Sequence, residues 1–148
     1  MKAYVITELF KHYQVGDIMD INDYDEWKGF WTGFTTVVSV PAELQHLSID
    51  LLKAELVDGE YEIQKADGAD QAYRDGKMTQ VRHNREALLT EADNEINKIE
   101  DTSGDASAWR TYRVALRDVT EAYKETDGSW KSDVDSLDAS AFSWPTKP

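Results

Sequence analysis

The sequence predicts an α+β protein, with a small β-rich region at the N-terminus and helices after it. Two observations predict this class. Short β-branched and aromatic runs alternate with turn residues over residues 1–68, and helical periodicity dominates residues 69–148. We therefore expect a β-rich domain at 1–68. At 69–148 we expect a long helix, an antiparallel helical hairpin and an extended C-terminal tail.

The strand predictions rest on residue type and on the turn signals between the runs. The run Thr-Thr-Val-Val-Ser-Val at 35–40 is the strongest signal, and Pro41 ends it. Leucine spacing over residues 41–56 predicts one or two helical turns instead. Asp58-Gly59 then predicts a tight turn. The predicted strands lie at residues 2–7, 18–21, 35–40 and 61–64.

Residues 70–100 are predicted to form one long helix, because apolar side chains recur at steps of three, four or seven. The near-heptad spacing is also typical of helices that pack on copies of themselves, so a homo-oligomer through this helix is one expectation. A turn at 101–105 separates it from a second helix. Since only about five residues connect the two helices, they should form an antiparallel hairpin.

The second helix carries an apolar stripe and, on another face, a row of arginines at 110, 113 and 117. Asp118 and Glu121 are spaced to pair with that row. The polar stretch after the helix, residues 126–143, is predicted to be loop or partly ordered chain. Its only apolar anchors are Trp130, Val134, Leu137 and Phe142.

The charge balance excludes several classes of function. The chain has 148 residues, with 16 Lys and Arg against 29 Asp and Glu, and a formal net charge of −13. So acidic a surface argues against nucleic-acid binding and against docking on anionic membranes, since both need clustered Lys and Arg. The absence of cysteine excludes disulfides, thiolate zinc sites and Cys nucleophiles.

Patterns typical of catalysis or of metal binding are weak. The histidines are isolated in the sequence and no glycine-rich phosphate-binding motif occurs, so we predict no catalytic residue, no metal and no cofactor. The acidic run at 20–26 has two interpretations, a calcium loop or a solvated loop. As an EF-hand loop it would place Asp25 where glycine is needed. An enzyme with a carboxylate pair is a further hypothesis that no constellation supports.

Four aromatic side chains lie close together in the sequence, at Trp27, Phe30, Trp31 and Phe34. They can form the core of the β-rich domain or its cover. They can also form a docking patch for a protein partner, because aromatic residues are enriched in interface hot spots. In that second interpretation the patch continues into the adjoining strand at Val37.

Three blocks in the second half of the chain resemble the phage tail-fibre assembly family, which contains the tail assembly chaperone domain. The first two are VRHNREALLTEAD at 81–93 and WRTYRVALRDV at 109–119, and the third is WPTKP at 144–148. They occur in the order of the family pattern, and the resemblance extends over residues 78–148. Trp144 would anchor the last block on the hairpin or on a partner, where the alternative is a loose end.

The resemblance implies a non-enzymatic phage protein that binds a tail-fibre or other tail protein, assists its folding or assembly and can stay attached. It implies a location in the host cytoplasm during assembly. The alternative is a permanent structural subunit of the tail, fibre or baseplate, which would place the chain in the virion tail. The N-terminal β region would engage the partner.

The resemblance also assigns residues to the hairpin. Its apolar members should pack the two helices together, and its charged members should form a polar network across them. The hairpin residues are Arg85, Leu88, Leu89, Asp93, Trp109, Tyr112, Arg113, Leu116, Arg117, Asp118, Trp144, Pro145 and Pro148.

Overall fold

The computed structural model describes residues 1–9, 12–19 and 33–148. The chain divides into two compact units, Met1–Ala69 and Asp70–Pro148. The described strands belong to the first unit. The two described α-helices belong to the second unit, except that the longer helix begins at Ala69, the last residue of the first unit. The predicted α+β class is confirmed.

A three-stranded antiparallel sheet forms part of the N-terminal unit. Its central strand is β1 (Lys2–Ile6), between β2 (Ile18–Met19) and β3 (Thr35–Ser39). Successive side chains of a strand point to opposite faces of the sheet. Val5 and Ile6 are both fully buried, so both faces of this sheet are covered.

A β-hairpin completes the strands described in this unit. β4 (Leu52–Val57) pairs with β5 (Glu60–Lys65), and between them Asp58 and Gly59 have φ angles of 50° and 87°. Two consecutive left-handed residues are typical of the tight turns that suit the twist of a hairpin, and Asp-Gly adopts them readily. The turn predicted from these two residues is present.

The secondary structure of residues 41–56 differs from the prediction. Helical turns are expected over residues 41–56, but the structure has only two short 3-10 turns, at Ala42–Leu44 and Ile49–Leu51, before β4 begins. The expectation is therefore wrong from Leu52 onward. Leucine favours a helix locally, but the Asp58-Gly59 turn brings this run opposite β5, and cross-strand pairing determines its conformation.

Two helices organise the C-terminal unit. α1 (Ala69–Asp101) agrees with the predicted long helix to within one residue at each end, and α2 (Ser107–Asp118) follows a short turn. The N–H of Gly104 donates to the Ile99 carbonyl oxygen at 2.8 Å, and a Cβ on Gly104 would lie 2.8 Å from the Ile99 side chain. The turn therefore requires glycine there.

The helices of the described ranges give no membrane span. None of them is both long enough and apolar enough to cross a bilayer.

Candidate functional site

The leucines and aromatic residues that the sequence blocks assign to the hairpin meet where α2 packs against the C-terminal half of α1. Tyr112 and Leu116 of α2 are buried beside Ala92 of α1. The Trp109 ring meets the Tyr112 ring edge-on, with 5.7 Å between centroids. The half-buried side chains that pack around this core are Leu88, Leu89, Trp109 and Trp144.

Two arginines of α2 form ion pairs across the hairpin. Arg113 pairs with Asp93, and Arg110 pairs with Glu100. Both acids belong to α1, and the pairs 93–113 and 100–110 show that the helices run antiparallel. The ion pairs and the apolar contacts therefore join the same two stretches of helix.

The predicted pairing of the arginine row within its own helix is wrong. Glu121 lies with its Oε1 2.8 Å from Lys124 Nζ, and Asp118 is exposed. Antiparallel packing explains the difference, because it places an acidic row of α1 beside the arginines of α2. Exposed pairs of either kind contribute only about 0–1 kcal/mol, so the apolar packing of the two helices decides which acids the arginines meet.

Arg85 supports the end of α2. Its guanidinium donates to the backbone carbonyl oxygen of Arg117 at 3.1 Å, and its Nη2 lies 4.0 Å from Glu86 Oε1. Carbonyl groups in the last turn of a helix lack intrahelical donors, and a cation at that end is favoured by the helix dipole. The side chains of Arg117 and Asp118 are exposed.

After α2 the chain forms a strap, residues 124–143, along the N-terminal half of α1. Its backbone is irregular, with short 3-10 turns at Ser132–Ser136 and Ala139–Ala141. The sequence predicts loop or partly ordered chain over residues 126–143, and the four predicted anchors are the side chains that order it. Trp130, Val134 and Phe142 are buried against Met78 and Val81 of α1, and Leu137 packs beside them.

Polar side chains near the start of α1 hold the strap by its backbone. Gln71 Nε2 donates to the Trp130 carbonyl oxygen at 2.9 Å, and Gln71 Oε1 accepts the Trp130 N–H at 2.8 Å. The Trp130 indole N–H donates to Asp75 Oδ1 at 3.1 Å. Lys77 Nζ donates to the carbonyl oxygens of Asp135 and Leu137 at 2.6 and 3.1 Å.

An ion pair adds to these contacts. Arg74 donates through Nε and Nη2 to the two carboxylate oxygens of Asp135, at 2.7 and 2.8 Å. The hydrogen bond to Asp135 raises the pKa of the Arg74 guanidinium. Sequence reasoning missed these polar residues of α1. The available signal was their spacing of three and four beside Met78, on one face of the helix.

The C-terminal tail packs on the hairpin, as one of the two interpretations expected. Trp144 contacts the cores of both the strap and the hairpin, and the centroid of its ring lies 4.7 Å from the centroid of the Phe142 ring. Lys147 Nζ lies 2.6 Å from Glu91 Oε2, and this contact raises the pKa of Lys147. Pro145 is half-buried and Pro148 is exposed.

The predicted docking residues of the N-terminal unit have different environments. Phe34 packs against the core of Ile6, Tyr13 and Met19, as the core interpretation expects. Val37 is 50% exposed. The other three aromatic residues of the cluster, and the acidic run considered for calcium, lie outside the described residues: Trp27, Phe30, Trp31 and positions 20–26. Within the described ranges, no group of three or more His, Cys, Asp or Glu could hold a metal ion.

Comparison with known proteins finds one similar family, and the similarity lies in the C-terminal part of the chain. Residues 78–148, slightly less than half of the chain, match the family model described as phage tail assembly chaperone protein. The resemblance of the three sequence blocks to this family is therefore confirmed. The match covers α2, the strap, the tail and most of α1. Comparisons with curated proteins and with solved structures give no match.

Proposed function

We propose that this chain is a phage tail assembly chaperone that binds a tail-fibre or other tail protein and assists its folding or assembly. The family match over residues 78–148 carries the proposal and supports the chaperone role. The role is one of binding, and we assign no catalytic residue. A protein of this kind acts in the host cytoplasm, where phage tails assemble.

The N-terminal unit is the part proposed to bind the partner. The C-terminal unit covers its apolar side chains with its own strap and tail, and Val114 is its one large exposed hydrophobic residue among those described. Five large hydrophobic residues are at least half exposed in the described part of the other unit: Met1, Leu9, Val15, Val37 and Leu56. The buried centre of a protein interface is more apolar than the rest of a protein surface, so this is the unit that we assign to the partner.

In the proposed mechanism, this chain temporarily covers surfaces of the tail protein that are exposed before assembly. Unassembled fibre proteins expose apolar surface and unpaired strand edges, which promote aggregation. A chaperone that covers these surfaces keeps the fibre protein soluble until the subunits of the fibre assemble and bury the same surfaces. The acidic surface of this chain, with a net charge of −13, supports the solubility of such a complex.

Copurification tests the proposal. Each tail and tail-fibre protein of the same phage is expressed with and without this chain, and binding and soluble yield are measured. We expect at least one of them to bind and to gain solubility. If none binds and none becomes more soluble, the proposed function is wrong.

Two exposed valines provide a matched pair for the docking unit. Val37→Lys should weaken copurification, whereas Val114→Lys, at a valine of similar exposure in the other unit, should not. Trp31→Ala should also weaken it. Phe34→Ala is unsuitable because Phe34 packs against the core, so its loss would also destabilise the unit. Equal binding by all variants would exclude docking through this surface.

The alternative, a permanent structural subunit, differs in the fate of the protein. Mass spectrometry of purified particles measures it. For a chaperone we expect the chain to be absent or far below the copy number of the fibre. Stoichiometric presence would favour the structural subunit. The long helix gives that alternative no additional support, because its buried residues are covered by α2 and the strap.

A further inference from the structure

The outer edge of β3 presents backbone groups that point away from the sheet. Thr7 N–H donates to the Phe34 carbonyl oxygen, and Val40 N–H donates to the Met1 carbonyl oxygen, at the two ends of the β1–β3 ladder. In an antiparallel pair, alternate residues bond to the partner strand. The even-numbered residues of β3 therefore face β1, and the N–H and C=O groups of Val37 and Ser39 face outward.

This edge is accessible. Val37 is 50% exposed and Ser39 is exposed. In the described part of the chain, no other backbone group forms a hydrogen bond with the outward N–H and C=O groups of these two residues. A cleft of about 530 Å³ lies along the strand, and its lining includes Val37, Ser39, Glu60 and Tyr61.

We propose that this edge receives an extended strand of the tail protein, which pairs with the outward N–H and C=O groups of Val37 and Ser39. An edge strand with free backbone groups is a template for another strand. The inference rests on the proposed function and deepens it by naming the mode of binding. The unpaired strand edge of an unassembled tail protein is the segment that such a template covers.

The charge near the edge selects a basic strand. Asp58, Glu60 and Glu62 are exposed on the neighbouring β-hairpin, and Glu60 lines the cleft. Lysine or arginine on the incoming strand is favoured by these carboxylates. A second copy of this chain is disfavoured because it would bring the same acidic surface, from a chain of net charge −13.

Amide hydrogen exchange of the full chain tests the pairing. The probe is the tail or tail-fibre protein found by copurification. In the free protein, the amides of Thr36 and Val38 should exchange slowly because they bond to β1, while those of Val37 and Ser39 should exchange quickly. In the complex, exchange at Val37 and Ser39 should slow by roughly tenfold or more.

Two substitutions at one position separate backbone pairing from side-chain contact. Val37→Pro removes the outward N–H without removing a bond to β1, which edge strands tolerate. It should weaken binding by about five- to tenfold, the value of one hydrogen bond. Val37→Thr keeps the N–H and the branched shape, and should change the affinity by less than about twofold. Should Val37→Pro fail to fold, the exchange of the unmodified chain still decides.

The outcomes separate the two proposals. A stable complex without added protection at Val37 and Ser39 overturns strand pairing and leaves the proposed function intact. Protection that appears without the tail protein, and rises with the concentration of this chain, assigns the edge to a second copy and also overturns the inference. If no tail protein binds at all, the proposed function fails, and the strand pairing fails with it.

Discussion

At the scale of single residues, two glycines of the hairpin show how the same substitution can act in opposite directions. Gly76 lies inside α1, and a Cβ there would meet nothing within 4 Å. Gly104 lies in the turn after α1, where a Cβ would lie 2.8 Å from Ile99 Cγ2 and 3.1 Å from the Ile99 carbonyl oxygen. The helix has room for a side chain at position 76, whereas the turn has no room for one at position 104.

We expect Gly76→Ala to raise the free energy of unfolding by about 0.5–1 kcal/mol, the difference in helix propensity between the two residues. Gly104→Ala should lower it, because the backbone of the turn must move away from Ile99. Urea denaturation of each variant measures both changes. A stabilising Gly104→Ala would contradict the close approach of the turn to α1.

At the scale of elements, the strap depends on short acid-capped turns. Ser129 donates its hydroxyl and then its N–H to Asp127, at 2.6 and 2.9 Å, and Ser140 donates in the same way to Asp138. These hydrogen bonds lower the pKa of both carboxyl groups. They favour the ionised form, so the turns are formed best when both acids carry charge.

Acid should therefore loosen the strap. A carboxyl group whose pKa is lower in the folded state stabilises that state above the pKa of the unfolded chain, and this stabilisation is lost as the pH falls through the folded-state pKa. In a variant that keeps Trp130 as its only tryptophan, we expect fluorescence to report increasing exposure of the indole as the pH falls below about 4, the usual range of aspartate. In Asp138→Asn the amide oxygen still accepts hydrogen bonds but does not titrate. A pH dependence unchanged by this substitution would show that Asp138 has no part in it.

The elements also show which features of the fold can be predicted from sequence. The bounds of α1 and the turn at Asp58-Gly59 follow from local periodicity and turn chemistry. The start of β4 at Leu52 does not, because pairing with β5 overrides leucine spacing. The hydrogen bonds from Gln71 to Trp130 join residues 59 apart in sequence, and local patterns carry no information about such a distance. In the candidate site, the sequence blocks predict the leucines and aromatic residues that pack the hairpin core, but they do not predict that Arg85 bonds to a carbonyl group.

At the scale of the whole molecule, each of the two units has its own buried core. The C-terminal unit encloses the cores around Met78 and around Leu116, and its ion pairs join residues of the same unit. These contacts favour independent folding of this unit. The family match begins at residue 78, inside α1, so it includes neither Gln71 nor Arg74.

Residues 70–148 should therefore fold without residues 1–69. We expect the isolated unit to show a helical circular dichroism spectrum and one cooperative thermal transition. A fragment that begins at residue 78 should be less stable, because it lacks the side chains that hydrogen-bond to Trp130 and Asp135. Equal stability of the two fragments would show that these contacts contribute little.

The position of the strap in the chain has a consequence during synthesis. The start of α1 leaves the ribosome before its partner exists, since Trp130 is added 59 residues after Gln71. At roughly 5–20 residues per second, Met78 and Val81 wait about 3–12 seconds for the side chains that cover them. A protein that we propose to cover exposed surface on others thus spends its own first seconds with an exposed apolar stripe. Translation speed over residues 82–142 sets how long that interval lasts.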